Sequence, residues 1–147
     1  MKKFIGLSVL ALGFVACKPT TNPQAQVGLK GDWTLTSITY PKGYNVKPFG
    51  VADAKCFENS QWKFVPNNNK GVVSVNGSRQ DCPVFDSNIV WTIDPNNVFS
   101  LKFVGDEKPK NVKEGYFFTI ENQTKESFKL VDNSTEIQIE YHFKKNN

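Results

Sequence analysis

The chain contains 147 residues, of which 39% are hydrophobic and 13% aromatic, so disorder over its whole length is excluded. Its formal net charge is +4, but Arg79 is its single arginine and the lysines are scattered along the sequence. Because arginine forks and clustered cations are the usual means of holding phosphate, we expect no nucleic-acid partner. The length fits one ordinary domain with a single core.

The N-terminal segment has the pattern of an export signal. Two lysines precede an apolar run over residues 4–16, which is too short to span a bilayer. Residues 14–17, Phe-Val-Ala-Cys, resemble the lipobox of bacterial lipoproteins, in which leucine is usual where the phenylalanine stands. The resemblance implies a signal peptide over residues 1–16, and acylation of Cys17 by diacylglycerol and palmitate. That lipid would attach the chain to the outer membrane of a bacterial envelope. An ordinary secretory signal with a chance cysteine is the alternative.

Residues 17–27 contain two prolines, several polar side chains and little that can pack in a core. This composition is typical of a linker between two parts of a protein. We therefore predict a lipidated N-terminus and flexible tether over residues 17–27, followed by one folded domain over residues 28–147.

The rest of the chain predicts an all-β domain. Short runs of alternating polar and apolar residues are separated by clusters of Asn, Asp, Gly and Pro, which favour turns. Most of these connections are short, so neighbouring strands should pair antiparallel, and residues 41–59, 77–87 and 105–114 form longer loops. The eight predicted strands span residues 32–40, 60–65, 71–76, 88–93, 98–104, 115–120, 127–131 and 136–144.

Alternation along the last predicted strand places Ile137, Ile139, Tyr141 and Phe143 on one face. Other predicted strands repeat the pattern, so the sheet has one apolar face. An eight-stranded meander of this kind can close on itself and remove its edges. We predict an up-and-down antiparallel β-barrel, with a two-sheet sandwich as the alternative. The strands are too short, and their outer faces too rich in lysine, for a barrel that spans the membrane.

Cys56 and Cys82 remain once Cys17 is assigned to lipid. Their midpoint is residue 69, inside the turn between the second and third predicted strands, so the two side chains should meet near the open end of that hairpin. A metal site is the weaker interpretation, because the chain has no CxxC motif and one histidine. We predict a disulfide between Cys56 and Cys82, no bound metal and no cofactor.

Two motifs carry a resemblance to a known family. Gly31 and Trp33 match the G-x-W motif that opens the first strand of lipocalins, and Trp62 and Phe64 form a W-x-F motif on the second predicted strand. Over residues 28–145 the chain resembles the short lipocalin-like lipoproteins of Bacteroidota. The resemblance implies an eight-stranded barrel whose closed end is plugged by the first tryptophan.

The chain departs from the longer lipocalins in two places. It has no T-D-Y motif, and Lys144 or Lys145 stands where those proteins carry an arginine that packs over the tryptophan. The resemblance therefore supports a barrel more strongly than it supports transport of any ligand.

The aromatic residues supply the candidate site. An eight-stranded barrel is just wide enough to be filled by side chains or to hold one small ligand. If a cavity remains, it should open away from Trp33 and accept a flat or apolar molecule. Packing of the core is the alternative role for each ring. The rings expected to point inward, and to bind the ligand if a cavity remains, are Trp33, Trp62, Phe64, Trp91, Phe99, Phe103, Phe118 and Tyr141.

The sequence gives no support for catalysis. His142 is the one histidine, and alternation places it with Glu140 on the outer face of the sheet. The G-x-S-x-G, H-E-x-x-H and glycine-rich phosphate motifs do not occur in the sequence, so we predict that the protein is not an enzyme.

A protein-interaction module is the competing function. The long loop over residues 41–59 carries Tyr44, Phe49 and Phe57 between glycine and proline breaks. An aromatic loop of this kind can dock or inhibit another protein of the envelope. In that case the barrel core is filled, and no small molecule binds. The alternative role of this segment is that of a surface loop covering the mouth of the barrel.

Overall fold

A computed structural model describes residues 20–77 and 80–147, and these residues form a closed barrel of eight antiparallel strands. Each strand pairs with the next and β8 pairs back with β1, which confirms the predicted barrel and excludes the two-sheet sandwich. The predicted signal peptide and Cys17 lie outside the described residues. The strands are β1 Gly31–Thr39, β2 Ser60–Val65, β3 Lys70–Asn76, β4 Val84–Ile93, β5 Val98–Phe103, β6 Tyr116–Glu121, β7 Ser127–Asp132 and β8 Ile139–Lys145.

Alternating burial explains why these segments form strands. In β2, the side chains of Ser60, Trp62 and Phe64 are buried, while those of Gln61 and Lys63 face solvent. Successive side chains of a strand point to opposite faces, so each strand contributes one row of residues to the interior. The bounds of β2 agree with the prediction.

β4 begins at Val84, four residues before its predicted start. In this extension the apolar Val84 lies on the exposed face and the polar Ser87 on the buried face, so the sequence shows no alternation of apolar and polar residues that would mark a strand. Pairing with β3 forms the extension instead, because Val84 lies opposite Asn76 in the ladder. The loop between β3 and β4 is consequently shorter than predicted.

A short helix, α1 (Pro23–Gly28), closes the floor of the barrel, which is the end where β1 begins. The Asn22 side chain caps this helix by accepting a hydrogen bond from the Ala25 backbone N–H. The Asn22 backbone N–H donates to the Ile93 carbonyl oxygen at 2.7 Å. The flexible tether predicted over residues 17–27 is therefore wrong from Asn22 onward, because a cap and contacts to the barrel order this segment.

The opposite end, the mouth of the barrel, is covered by longer connections. The β1–β2 loop contains a 3₁₀ turn at Pro48–Gly50 and the helix α2 (Ala54–Phe57). The β5–β6 loop contains a second 3₁₀ turn at Pro109–Asn111. A disulfide joins Cys56 of α2 to Cys82 of the β3–β4 loop, with Cα atoms 5.4 Å apart, and confirms the predicted pairing.

One hydrophobic cluster occupies the interior and includes residues from all eight strands. Helix α2 adds Ala54 and Phe57 to this cluster at the mouth. Among the described residues, no helix is long and apolar enough to cross a membrane. The largest fully buried side chains are those of Trp33, Trp62, Trp91, Phe57, Phe64 and Phe99.

Candidate functional site at the mouth of the barrel

Aromatic rings follow one another through the interior from the floor toward the mouth. The ring centroids of Trp33 and Phe128 are 4.7 Å apart near the floor, and the rings of Phe128 and Phe143 are stacked at 4.6 Å. Trp62 continues the series, with its centroid 5.3 Å from that of Phe143. Aromatic pairs favour these spacings, so the rings pack as a continuous column.

Hydrogen bonds fix the indole groups of this column. Trp33 Nε1 donates to the Leu29 carbonyl oxygen at 2.8 Å in the floor. Nearer the mouth, Trp62 Nε1 donates to Ser60 Oγ at 2.9 Å. A buried N–H without an acceptor costs about 1–3 kcal/mol, so each bond favours a single position of its ring.

Phe49, from the 3₁₀ turn of the β1–β2 loop, fills the mouth above this column. Its ring is half-buried and packs against the hydrophobic core instead of projecting into solvent. The nearest ring is that of Phe103, with centroids 4.8 Å apart. The six rings around Phe49, with centroids between 4.8 and 6.3 Å from its own, are those of Phe57, Trp62, Phe103, Tyr116, Phe118 and Tyr141.

The backbone of Phe49 is strained. Its φ of +58° lies in the left-handed region. That region is unusual for a bulky residue and costs about 1–3 kcal/mol. Gly50 follows with a φ of +68°, which a glycine adopts without this cost. The Tyr116 hydroxyl donates a hydrogen bond of 3.2 Å to the Phe49 carbonyl oxygen. This bond and the ring contacts offset the strain.

Two tyrosines bring hydroxyl groups to the mouth. Burial raises the pKa of Tyr116 above its ordinary value, and the negative charge of the nearby Glu114 carboxylate raises it further. Burial also raises the pKa of Tyr141, with a smaller contribution from the charge of Asp132. Both phenols therefore stay protonated at neutral pH, so each can donate a hydrogen bond and neither acts as a base.

Comparison with known proteins identifies the family. The sequence profile of a lipocalin-like domain matches residues 29–130, which is more than half of the chain. The chain belongs to the lipocalin-like domain family. The closed eight-stranded barrel agrees with that assignment and with the G-x-W motif at the start of β1.

A solved structure shares the fold of this lipocalin-like domain. It is a lipocalin-like protein from Bacteroides uniformis, which is 14% identical in sequence and superimposes with a TM-score of 0.52. The alignment covers 81% of this chain and 99% of that protein. At this identity the likeness shows the fold alone. No curated protein matches the chain in sequence.

The lipocalin-like domain brings the eight predicted rings together inside the barrel. Seven of them are at most 4% exposed, and the eighth, Phe103, is half-buried at the mouth. Toward the floor the rings pack on one another, with the Phe64 and Trp91 centroids 5.2 Å apart and those of Phe64 and Phe99 6.0 Å apart. This packing supports a core role for these three rings. Contact of any of the eight with a ligand stays a prediction.

The loop over residues 41–59 covers the mouth of the barrel, and two of its three aromatic rings turn inward. Phe57 is fully buried and Phe49 turns into the mouth, while Tyr44 is 48% exposed. The two phenylalanine rings leave water for a recess already lined with aromatic side chains, and burial of that apolar area is favourable. The sequence signal for Phe49 is its place between Pro48 and a glycine, because such a pair favours a tight turn.

His142 lies on the outer wall, where alternation predicts it. Its Nε2 is 3.4 Å from Glu140 Oε2 and 3.2 Å from Thr39 Oγ1. Lys129 Nζ donates to Glu140 Oε1 at 3.0 Å, and this hydrogen bond is the largest of the effects that lower the pKa of Glu140. These polar groups face away from the rings, so they form no part of the mouth.

Proposed function

We propose that this chain is a lipid-anchored, non-enzymatic lipocalin-like protein of a bacterial envelope that binds a small hydrophobic molecule at the mouth of its barrel. The observation that supports this function best is the set of six rings around Phe49. Strained backbone is concentrated at functional sites in proteins, and Phe49 combines strain with a place among six aromatic rings.

The mouth is a better ligand site than the floor. At the floor, the buried Gln26 carboxamide links the β2–β3 turn to the end of β4 by donating to Asn69 Oδ1 at 3.0 Å and accepting from the Ile93 N–H at 2.9 Å. At the mouth, the rings of Phe103 and Tyr116 are half-buried. A molecule arriving from solvent reaches these rings without opening any pair of strands.

The predicted lipid anchor would direct the mouth away from the membrane. Cys17 precedes Asn22 by five residues, and the Asn22 backbone is bonded to Ile93 at the floor. Five residues reach at most about 18 Å when fully extended, so a lipid on Cys17 would keep the floor close to the bilayer. The mouth would then face the aqueous side.

The groups at the mouth favour binding without a chemical reaction. Apart from carbon rings, they include the hydroxyls of Tyr116 and Tyr141, whose raised pKa values keep them protonated. His142, the one histidine of the sequence, lies on the outer wall.

Titration with the uncharged, flat fluorophore 1-aminoanthracene tests the mouth. We expect its fluorescence to rise with the protein purified from membranes, relative to a blank of the same detergent. Phe103→Glu should weaken binding at least tenfold, because it adds a carboxylate to the ring-lined recess. Phe117→Glu is the matched control, since Phe117 is 65% exposed on the outer wall. Absence of binding, or equal effects of the two variants, would contradict the proposal.

Mass spectrometry tests the anchor separately. The purified protein should begin at Cys17 and carry diacylglycerol on its sulfur atom. The Cys17→Ser variant should lose the lipid and leave the membrane fraction. A free thiol on a protein recovered from the membrane would refute lipidation.

A protein partner is the second candidate function, and one feature of the outer wall favours it. The exposed Phe117 lies beside a groove of about 260 Å³ that Val90 and Pro109 also line. Exposed aromatic residues next to apolar grooves are typical of docking surfaces. Probe binding that is lost in Phe117→Glu but retained in Phe103→Glu would favour this groove over the mouth.

A further inference from the structure

We infer that the mouth is a subsite for an uncharged aromatic ring, and that Phe49 occupies this subsite as a removable plug in the free protein. The inference rests on the proposed ligand binding and names its ligand class, which is aryl compounds of the size of phenol or indole. A ligand that binds elsewhere in the mouth would leave Phe49 in place.

The geometry around Phe49 fits an aromatic ring in particular. The rings of Phe57 and Tyr116 meet it nearly edge to face, at interplanar angles of 72° and 83°. The ring of Phe103 is tilted by 59° at the shortest centroid distance, 4.8 Å. In such pairs the positive edge of one ring meets the negative face of another, and a saturated ring of the same size has no such charge distribution. The subsite therefore prefers an aryl group to an alicyclic one.

The plug is carried by a short piece of chain between two fixed points. These points are Val46 and Ala54, which are joined because the Val46 carbonyl oxygen accepts a hydrogen bond of 2.9 Å from the Ala54 N–H. Two residues after Ala54, the disulfide holds Cys56. Between these points the turn at Pro48–Gly50 places Phe49 in the left-handed region. Outward movement of the turn relieves that strain while it removes the ring contacts. The two effects oppose each other, which is what a two-state element requires.

The rim of the mouth selects against negatively charged ligands. The Tyr116 hydroxyl donates to the Phe49 carbonyl oxygen at 3.2 Å, and this donor is released when the turn moves. It can then serve the polar atom of a ligand. The Glu114 carboxylate beside it raises the pKa of Tyr116, and the same charge repels an anion. A phenol or an indole thus fits better than an aryl carboxylate.

Titration calorimetry with three small para-substituted probes tests the plug. The probes are 4-methylphenol, 4-methylcyclohexanol and 4-methylbenzoate. Each is titrated into the full protein in detergent, and separately into the same detergent without protein as a blank. Phe49→Ala should bind 4-methylphenol at least tenfold more tightly than the wild type, because the competing ring is gone. It should bind the other two probes at least fivefold more weakly than 4-methylphenol. Tyr44→Ala is the control, since it removes an exposed ring of the same loop and should behave as the wild type.

An affinity of Phe49→Ala for 4-methylphenol no higher than that of the wild type would overturn the inference, as would equal affinity for the two uncharged probes. Phe49→Leu is the second variant and should bind 4-methylphenol at least threefold more tightly than the wild type. If circular dichroism shows that neither variant folds, Phe49 is a core residue and the plug is rejected. The proposed function is judged separately. It rests on binding of 1-aminoanthracene by the wild type and on the loss of that binding in Phe103→Glu, and neither result depends on the Phe49 variants.

Discussion

Lys145 lies over the indole of Trp33, with its Nζ 5.3 Å from the ring centroid. The same ammonium group donates a hydrogen bond of 2.7 Å to the Lys30 carbonyl oxygen. A cation over the face of a tryptophan is attracted by the negative face of the ring. In the longer lipocalins that the sequence resembles, an arginine packs over this tryptophan. Here Lys145, and not Lys144, takes that position.

Lys145→Met should lower the free energy of unfolding by about 1 kcal/mol, because it keeps the apolar stem but removes the ammonium group. Lys145→Arg should retain wild-type stability, since a guanidinium also stacks on an indole. Lys144→Met is the matched control, because the Lys144 side chain is exposed. Urea denaturation followed by circular dichroism measures all three. An arginine variant as unstable as the methionine variant would argue against the cation over the ring.

Gln26→Ala should destabilise the protein by about 1–3 kcal/mol, because it leaves the Ile93 N–H and the Asn69 side chain without their buried partner. Gln24→Ala, an exposed position of the same helix, should change the free energy of unfolding by less than about 0.5 kcal/mol. Equal urea midpoints for the two variants would show that α1 contributes nothing to the floor.

Removal of the disulfide should destabilise the barrel by about 3–4 kcal/mol on the chain-entropy account, because the bond closes a loop between residues 26 positions apart. The measurement is urea denaturation of the Cys56→Ala/Cys82→Ala double variant. Addition of dithiothreitol should lower the midpoint of the wild type and leave that of the double variant unchanged. A wild type insensitive to dithiothreitol would contradict the prediction.

Alkaline pH should destabilise the fold through Tyr141. Its pKa is raised by burial in the folded barrel, whereas the unfolded side chain ionises near 10. The contribution of Tyr141 to the free energy of unfolding is therefore fully present below pH 10. It falls as the pH rises further, by at most about 1.4 kcal/mol for each pH unit. Tyr141→Phe should show a shallower decline between pH 10 and 12 than the wild type. Tyr44→Phe, at an exposed position, should retain the wild-type slope.

The strands were predictable because every second side chain of a barrel strand is buried, so that apolar and polar residues alternate in the sequence. Trp62 and Phe64 with an intervening lysine marked β2 to its exact bounds, and the same alternation assembled the set of inward rings. The extension of β4 at Val84 could not be predicted in this way, because its outer face carries the apolar Val84 and its inner face the polar Ser87, and its order comes from pairing with β3.

The helix α1 and the inward position of Phe49 could not be predicted, for a different reason. The helix α1 has the composition of a linker, and it is held by groups far away in the sequence, such as Gln123, whose Nε2 donates to the Ala25 carbonyl oxygen at 2.7 Å. Phe49 lies in a loop, where no period defines the direction of a side chain. Its inward position depends on the rings that β2, β5, β6 and β8 bring to the mouth, and no local pattern contains that information.

The seam between β1 and β8 also constrains when the protein can fold. Thr34 lies opposite Lys144, so the two strands that complete the cylinder come from nearly opposite ends of the chain. A polypeptide that emerges from the ribosome or a translocation channel exposes β1 first and β8 last. Until β8 is released, the edges of β1 and β7 both have unsatisfied amide and carbonyl groups, and long-range pairing of this kind is slow. We therefore expect ring closure to be the last step of maturation, and truncations within β8 to give aggregation-prone chains.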